Sequence, residues 1–372
     1  MSLRLEPLPE LPADGDNDTY MEPLPELHAY GGNDHGVDPL PELPADGGNE
    51  LKSLPELVTE VDDLAELNDG AGHEKCRLPG RWWQHRSCLR HEARADIPTI
   101  AAMFGQDLFE IPKAWLDPVC ARQLIAAACG TKSMALAPWF LFEVFGGCGH
   151  LSLASRRAGL PTGPSVDILY QREHRLMADL LTAAGRQLLW ACLIIYMPFW
   201  VHLGFPCTFW CRMAHFTRKR SEWANEQTRL RELVFVVLTL QIVQWQASRW
   251  QHVSIENPPC CCSWHLDIVQ DMLNIASMHV VRFDACGWGL MDPGNRLPYK
   301  KAMQIASTTE LSCLQRSCKG NHVHQHVEGA VTSGPRRGTR RSQVSGEYPH
   351  ELCEAWVSRM HAVMKGFANG NK

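Results

Sequence analysis

The sequence predicts an α/β protein built on a doubly wound, parallel sheet flanked by helices and carried by residues 136–290. Three observations predict it. A hydrophobic run, Leu141-Phe142-Glu143-Val144-Phe145, enters a glycine-rich turn, Gly146-Gly147-Cys148-Gly149, and leaves it in a helical pattern from Leu151. Strand, tight turn and helix in that order are how such sheets open a crevice for a nucleotide-like ligand. The continuous apolar run 188–205 reads as buried strand, or as a strand following a buried helix, because central parallel strands are covered on both faces. Helix-period and strand-like segments alternate along the rest of this region.

Residues 1–70 are of another kind. Glu6-Pro7-Leu8-Pro9-Glu10-Leu11 recurs at 22–27 and, led by Asp38, at 38–43, with a shortened Leu54-Pro55-Glu56-Leu57. Alternating prolines favour extended backbone, and the Asp-Gly-Asn stretches between them favour turns, so this tail is expected to be disordered. Each repeat offers the same apolar and acidic face, which suits a peptide-binding partner engaged at several points. The tail holds Arg4 and Lys52 against eighteen acids, a net of −16, and the remaining 302 residues carry +11, so the overall −5 hides a split. A basic body is compatible with nucleic acid, DNA or RNA, for which the acidic tail would compete.

Residues 71–135 form a basic, helical extension. Lys75, Arg77, Arg81, Arg86, Arg90 and Arg94 are interleaved with Trp82 and Trp83, a mixture suited to phosphates and stacked bases. Residues 97–129 read as mostly helical, with Ile100, Met103 and Phe104 and later Leu124, Ile125 and Ala128 as the apolar series. The sheet region then offers a strand over 140–145, a helix over 151–157, a strand over 166–169 and a helix over 173–184 before the long apolar run. A helix over 222–245 shows Leu230, Leu233, Val234, Val237 and Leu240 at three-to-four spacing. Strands over 252–255 and 278–283 complete a sheet whose strands are all expected to be parallel, with a crevice at their carboxyl ends.

The C-terminal region, 291–372, is Cys/His-rich and basic. Cys313, Cys318, His322, His324 and His326 lie within fourteen residues, and a zinc knuckle would draw on Cys313, Cys318, His322 and His326. Arg336, Arg337, Arg340 and Arg341, with Arg218, Lys219 and Arg220, would straddle a nucleic-acid backbone. Fifteen cysteines, an odd number, in a long chain opening Met1-Ser2-Leu3-Arg4-Leu5-Glu6 suggest reduced thiols and an intracellular location. Pro198, His202 and Gly204 interrupt the one run of membrane length, so no membrane span is expected.

Two further blocks carry chemistry. Gly204-Phe205-Pro206-Cys207-Thr208 puts a thiol after a strand, and Ile255-Glu256-Asn257-Pro258-Pro259 puts a carboxyl at the end of another. A thiol nucleophile, and a carboxyl able to share a proton with a ring nitrogen, are what attack on an electron-poor heterocycle needs. Asp167 ends the second strand, twenty-four residues after Glu143, where an acid can accept the ribose hydroxyls of a cofactor; Glu173 competes for that role.

Together these blocks resemble the cytosine-5 DNA methyltransferases, over about residues 138–290. Phe145, Gly147 and Gly149 fall on that family's F-x-G-x-G turn, Leu151-Ser152-Leu153 and Ala158-Gly159 on the following helix, Pro206-Cys207 on its nucleophile and Glu256-Asn257 on its Glu-Asn pair. The resemblance implies a Rossmann-like methyltransferase sheet and S-adenosylmethionine at Phe145, Gly147, Gly149, Asp167 and Pro206. It further implies DNA cytosine methylation through a covalent adduct on Cys207 with Glu256 and Asn257 assisting, and a nuclear location. Thr208, Cys211 and Pro258-Pro259 depart from the family's pattern, and no Gln-x-Arg-x-Arg block follows Glu256. Asn257-Pro258-Pro259 also invites comparison with the amino-group methyltransferases, but Cys260 stands where those carry an aromatic residue. The cysteine richness, repeats and abbreviated motifs are similar to methylase-like reading frames of mobile elements. The alternative is therefore a catalytically inactive, retroelement-derived nucleic-acid-binding or scaffold protein.

Overall fold

The computed structural model describes residues 96–129, 138–167, 175–176, 178–211 and 222–368, all within one compact unit, 75–372. The repeat tail, the Lys/Arg/Trp stretch before residue 96, Glu173 and the basic triplet 218–220 lie outside the described residues.

Seven strands form one sheet: β1 (Leu141–Val144), β2 (Ser165–Val166), β3 (Arg175–Leu176), β4 (Trp200–Leu203), β5 (His252–Asn257), β6 (His279–Asp284) and β7 (Ala302–Ser307). Their order across the sheet is β3-β2-β1-β4-β5-β7-β6. β1 to β5 are parallel, and the chain reverses its direction of travel across the sheet between β1 and β4, which makes that gap the switch point where doubly wound sheets open a crevice. The expectation of parallel strands throughout fails at β7, which runs antiparallel to both β5 and β6. A parallel return would need a helical crossover, whereas residues 285–301 hold only a short 3-10 turn, Ala285–Trp288.

Among the described residues eight α-helices accompany the sheet: α1 (Ile97–Phe104), α2 (Pro118–Cys129), α3 (His150–Arg157), α4 (Ala183–Tyr196), α5 (Glu222–Ser248), α6 (Asp267–Ile275), α7 (Arg341–Val344) and α8 (His350–Ala368). The apolar run 188–205 divides into the end of α4 and the strand β4. Thr182 caps α4, its side chain accepting from the Gly185 amide at 3.1 Å. Because Leu188, Leu189, Trp190, Ala191, Cys192 and Leu193 are all buried, the part of α4 that follows Gln187 is apolar all round and shows no helical period. The helix expected over 173–184 is not found among the described residues of that stretch: 175–176 form β3, a turn precedes Thr182, and the helix begins at the Thr182 cap.

One core lies on the face covered by α1, α2, α4, α5 and α6, with Ile100, Leu108, Trp190, Leu233, Val201 and Val269 buried in it. Arg186 of α4, 1% exposed, joins the first helices to this core. It makes a bidentate pair with Asp107, at 2.5 and 2.9 Å, and donates to the carbonyls of Leu180, Leu181 and Phe104. A guanidinium so fully hydrogen-bonded is a buried charge the fold can hold. The second core packs α3 and α8 against the other face, with Phe140, Leu151, Trp200, Tyr299 and Trp356. Both β7 and α8 lie past residue 290, so the sheet and its second covering layer draw on the region read as a separate C-terminal part. Among the described residues no helix is long and apolar enough to cross a membrane.

Candidate active site

β1 delivers the chain into the glycine turn with backbone that few residues adopt: Phe145 has φ +58°, Gly147 +50° and Gly149 +66°. The turn is closed by Gly149 N–H donating to the Gly146 carbonyl at 2.7 Å, and anchored to β2 by Gly146 N–H donating to the Val166 carbonyl. Gly146 is sterically obliged: a Cβ there would run into Ser165 Oγ and come within 2.9 Å of Glu143 Cγ. A Cβ at Gly147 would meet nothing within 4 Å, so there the backbone borders open space. Glu143, fully buried in β1, accepts from both Ser152 N–H (3.0 Å) and Ser152 Oγ (2.6 Å), placing a carboxylate on the first turn of α3. Asp167 accepts from Gly147 N–H at 2.9 Å, so the acid chosen for a ribose holds the turn itself. The ring of Phe145 packs edge-on against Phe235 of α5.

β4 lies beside β1 and opens into Gly204-Phe205-Pro206-Cys207. A Cβ on Gly204 would stand 3.4 Å from Tyr348 Oη, 3.5 Å from the Phe145 carbonyl and 3.9 Å from Glu256 Oε2, so three segments close in at this point. The Asn257 side chain, 1% exposed, reaches the Phe205 carbonyl at 3.5 Å and braces the cysteine loop from β5. Beyond the cysteine, Phe209 N–H donates to Glu232 Oε2 of α5 at 2.8 Å, and Cys262 N–H donates to the Trp210 carbonyl. The second bond ties the loop after Cys207 to the loop after Glu256. Burial pushes the Glu232 carboxyl up to about 8, against the opposing hydrogen bonds from Phe209 and Thr208.

Phe145, Gly147, Gly149, Pro206, Cys207, Glu256 and Asn257 all border one cavity of about 250 Å³ at the carboxyl ends of β1, β4 and β5. A larger hollow of about 510 Å³ lies alongside, between α3 and the segments carrying Asp292 and Tyr348, but neither Cys207 nor Glu256 lines it. The Cys207 thiol is lowered by its hydrogen bond with Cys211. The Cys261 hydrogen bond, burial and the charges of Cys261 and Glu256 outweigh this, and the net effect is a thiol held well above its ordinary range. Glu256 is also raised, by burial, against Lys301 and a hydrogen bond from Tyr348. Its Oε2 accepts from Tyr348 Oη at 3.3 Å, whereas its Oε1 is buried with no hydrogen-bond partner among the described residues. A carboxyl raised by burial, with one buried oxygen left unsatisfied, is a group prepared for a polar ligand.

Behind Glu256 runs a buried polar chain. Tyr348 Oη lies 2.9 Å from His202 Nε2, His202 Nδ1 is 3.0 Å from Ser254 Oγ, and Ser254 accepts from Trp200 Nε1. Burial brings His202 down to about 3, so it is neutral and passes hydrogen bonds along the chain without adding charge. The sequence reading missed Tyr348, His202, Glu232 and Gly146. Only Glu232 left a trace: an acid between Leu230 and Leu233 on the apolar face of a helix is out of place unless it has a partner there.

Of the expected zinc ligands, Cys318 and His322 lie together, but Cys313 sits exposed on a separate 3-10 turn, Ser312–Leu314. The group whose ligand atoms converge is Cys286, Cys318, His322 and His324, without Cys313 or His326. In the basic patch, Arg336 pairs with Glu347 at 2.5 Å and Arg341 with the buried Asp292 at 2.7 Å, and among its described residues Arg337 and Arg340 are exposed.

No family model matches the chain, and no curated protein matches it. Among solved structures it is similar to the crystal structure of the S. pombe Dnmt2 methyltransferase, at 9% sequence identity and a TM-score of 0.29. The similarity covers 55% of this chain and 57% of that one, so the chain spans little more than half the length of that structure.

Proposed function

We propose that this chain is an S-adenosylmethionine-dependent methyltransferase acting on C5 of cytosine in DNA, with Cys207 as nucleophile and Glu256 as proton donor. The observation that supports this reading is the convergence of three separate sequence blocks, the glycine turn, Pro206-Cys207 and Glu256-Asn257, on one cavity at the switch point of the sheet. The turn fits the cofactor. Open space beside Gly147 lets backbone approach a ligand closely, and Phe145, Gly147, Gly149 and Pro206, which line the cavity, would hold it while Asp167 fixes the turn through the Gly147 amide. When bound, the cofactor supplies an electrophilic methyl group on a sulfonium.

A base in a duplex is stacked, so the target enters the cavity flipped out. Burial raises the Glu256 carboxyl, which favours its protonated form, and it gives that proton to ring N3 as the Cys207 sulfur bonds to C6. The thiol proton leaves to water. Addition makes C5 enamine-like, so that C5 would take the methyl group of a bound cofactor, leaving the cofactor as the neutral thioether; a water then removes the C5 proton, and expulsion of the Cys207 sulfur restores the ring while N3 returns its proton to Glu256. Asn257 keeps the cysteine loop in place through the Phe205 carbonyl.

The state of the Cys207 thiol favours a second reading. A thiol raised well above its ordinary range is a poor nucleophile at neutral pH, as a catalytically inactive, nucleic-acid-binding descendant would allow. Calorimetric titration of S-adenosylmethionine into the full chain and into Gly147→Asp separates the two. Saturable binding to the wild type, lost in the variant, supports the enzyme; no binding by the folded wild type supports the inactive reading.

A further inference from the structure

Four side chains from two distant segments meet beyond the end of β6. Cys286 lies in the 3-10 turn Ala285–Trp288, and Cys318, His322 and His324 come from a stretch without helix or strand. Their ligand atoms all lie within 4.8 Å of one another, and all four residues are half-buried. Cys318 Sγ is 3.6 Å from His322 Nε2 and 3.3 Å from His324 Nε2, and the two Nε2 atoms are 3.0 Å apart. A tetrahedral zinc with Zn–N of about 2.0–2.1 Å and Zn–S of about 2.3 Å sets N···N near ~3.4 Å and S···N near ~3.6 Å. The three distances among Cys318, His322 and His324 match to within about 0.4 Å, and Cys286 Sγ lies within 4.8 Å of each of the others.

The surroundings match too. His322 Nδ1 lies 3.2 Å from Asn321 Oδ1, which fixes the tautomer that turns Nε2 toward the cluster. Gly320 N–H points at Cys318 Sγ (3.3 Å), and Cys318 N–H donates to Asp284 Oδ2, at the end of β6, at 2.7 Å. Both are the outer contacts that orient a thiolate ligand.

We infer that Cys286, Cys318, His322 and His324 form a structural Cys2His2 zinc site that pins the segment 318–324 to the edge of the sheet. Each thiol loses its proton to the buffer on binding, so two protons are released per zinc and the site with its ion is electrically neutral. With four protein ligands it has no open position and takes no part in catalysis.

The test uses the full chain, purified with zinc and reconstituted with cobalt(II). One metal per chain is expected, with a tetrahedral cobalt spectrum and release of two protons in calorimetry repeated across buffers. Cys313→Ser and His326→Ala should keep the metal, and Cys318→Ser should lose it. Cys286→His guards against simple misfolding, because it keeps four ligands: metal should be retained while the thiolate charge-transfer band falls to about half. A wild type without metal, a Cys313→Ser chain that loses it, or a Cys286→His band of unchanged intensity would overturn the inference.

Discussion

Gly146 and Gly147 stand side by side, yet they make opposite demands on the turn. At Gly146 the obstacle is space, with Ser165 and Glu143 where a methyl group would go; at Gly147 it is the backbone, at φ +50° beside open space. Gly146→Ala should therefore cost about 1–3 kcal/mol by forcing β1 and β2 apart, and Gly147→Ala about 1–2 kcal/mol by strain alone. Urea denaturation of both variants measures this, with near-ultraviolet circular dichroism showing altered packing only in the first. Tyr348 gives a second expectation at this scale. Tyr348→Phe removes a hydrogen bond that lowers Glu256, while the ring keeps its place between His202 and Trp356, so the Glu256 carboxyl rises further. Methyl transfer needs that carboxyl protonated, and the alkaline limb of its pH profile should move to higher pH in the variant; an unmoved limb would remove Tyr348 from the site. Cys207, Glu256 and the glycines were legible because each sits in a short local block. Tyr348 was not, since nothing in Gly346-Glu347-Tyr348-Pro349 says that it will meet a carboxyl ninety-two residues earlier in the chain.

Among the elements, α5 does more than cover the sheet, because Glu232 reaches from it to the loop that follows Cys207. Folded, Glu232 titrates at about 8 against 4.5 for an ordinary Glu, so between those values the native chain holds a proton that the unfolded chain has released. Its contribution is fully present below pH 4.5 and is lost as pH rises through about 8. Denaturation midpoints should fall over this window in the wild type and fall less in Glu232→Gln, whose amide oxygen can still accept from Phe209. At pH 9 the variant gains on the order of 5 kcal/mol relative to the wild type. Equal slopes for the two proteins would contradict this account of Glu232. The helical period made α5 legible, starting at residue 222 as expected, whereas α4 was hidden inside an apolar run whose helix and strand portions look alike by composition. β7 escaped because its position depends on β5 and β6 accepting an antiparallel neighbour, a property of the pair and not of the segment.

For the molecule as a whole, the parts past residue 290 belong to the sheet and to its second core. Deleting residues 348–372 would strip α8, with Leu352, Trp356 and Met360, from one face and take Tyr348 from Glu256. Loss of one buried Trp alone costs about 3–5 kcal/mol, comparable to the stability of many domains. The truncated chain should fail to unfold cooperatively, which calorimetry would show; a sharp transition near that of the full chain would mean that α8 is dispensable. The split in charge between tail and body was readable by counting. The joining of the glycine turn, Cys207 and Glu256 into one cavity needed the strand order as well. If these three act as one site on cytosine, the protein can be captured covalently on its substrate. The full chain is incubated with S-adenosylmethionine and a duplex carrying 5-fluorocytosine, which cannot lose a proton from C5, and the adducted peptide is identified by mass spectrometry. The account predicts a cofactor-dependent adduct on Cys207, absent from Cys207→Ser; a chain that binds the cofactor and the duplex yet forms no adduct at Cys207 would contradict it.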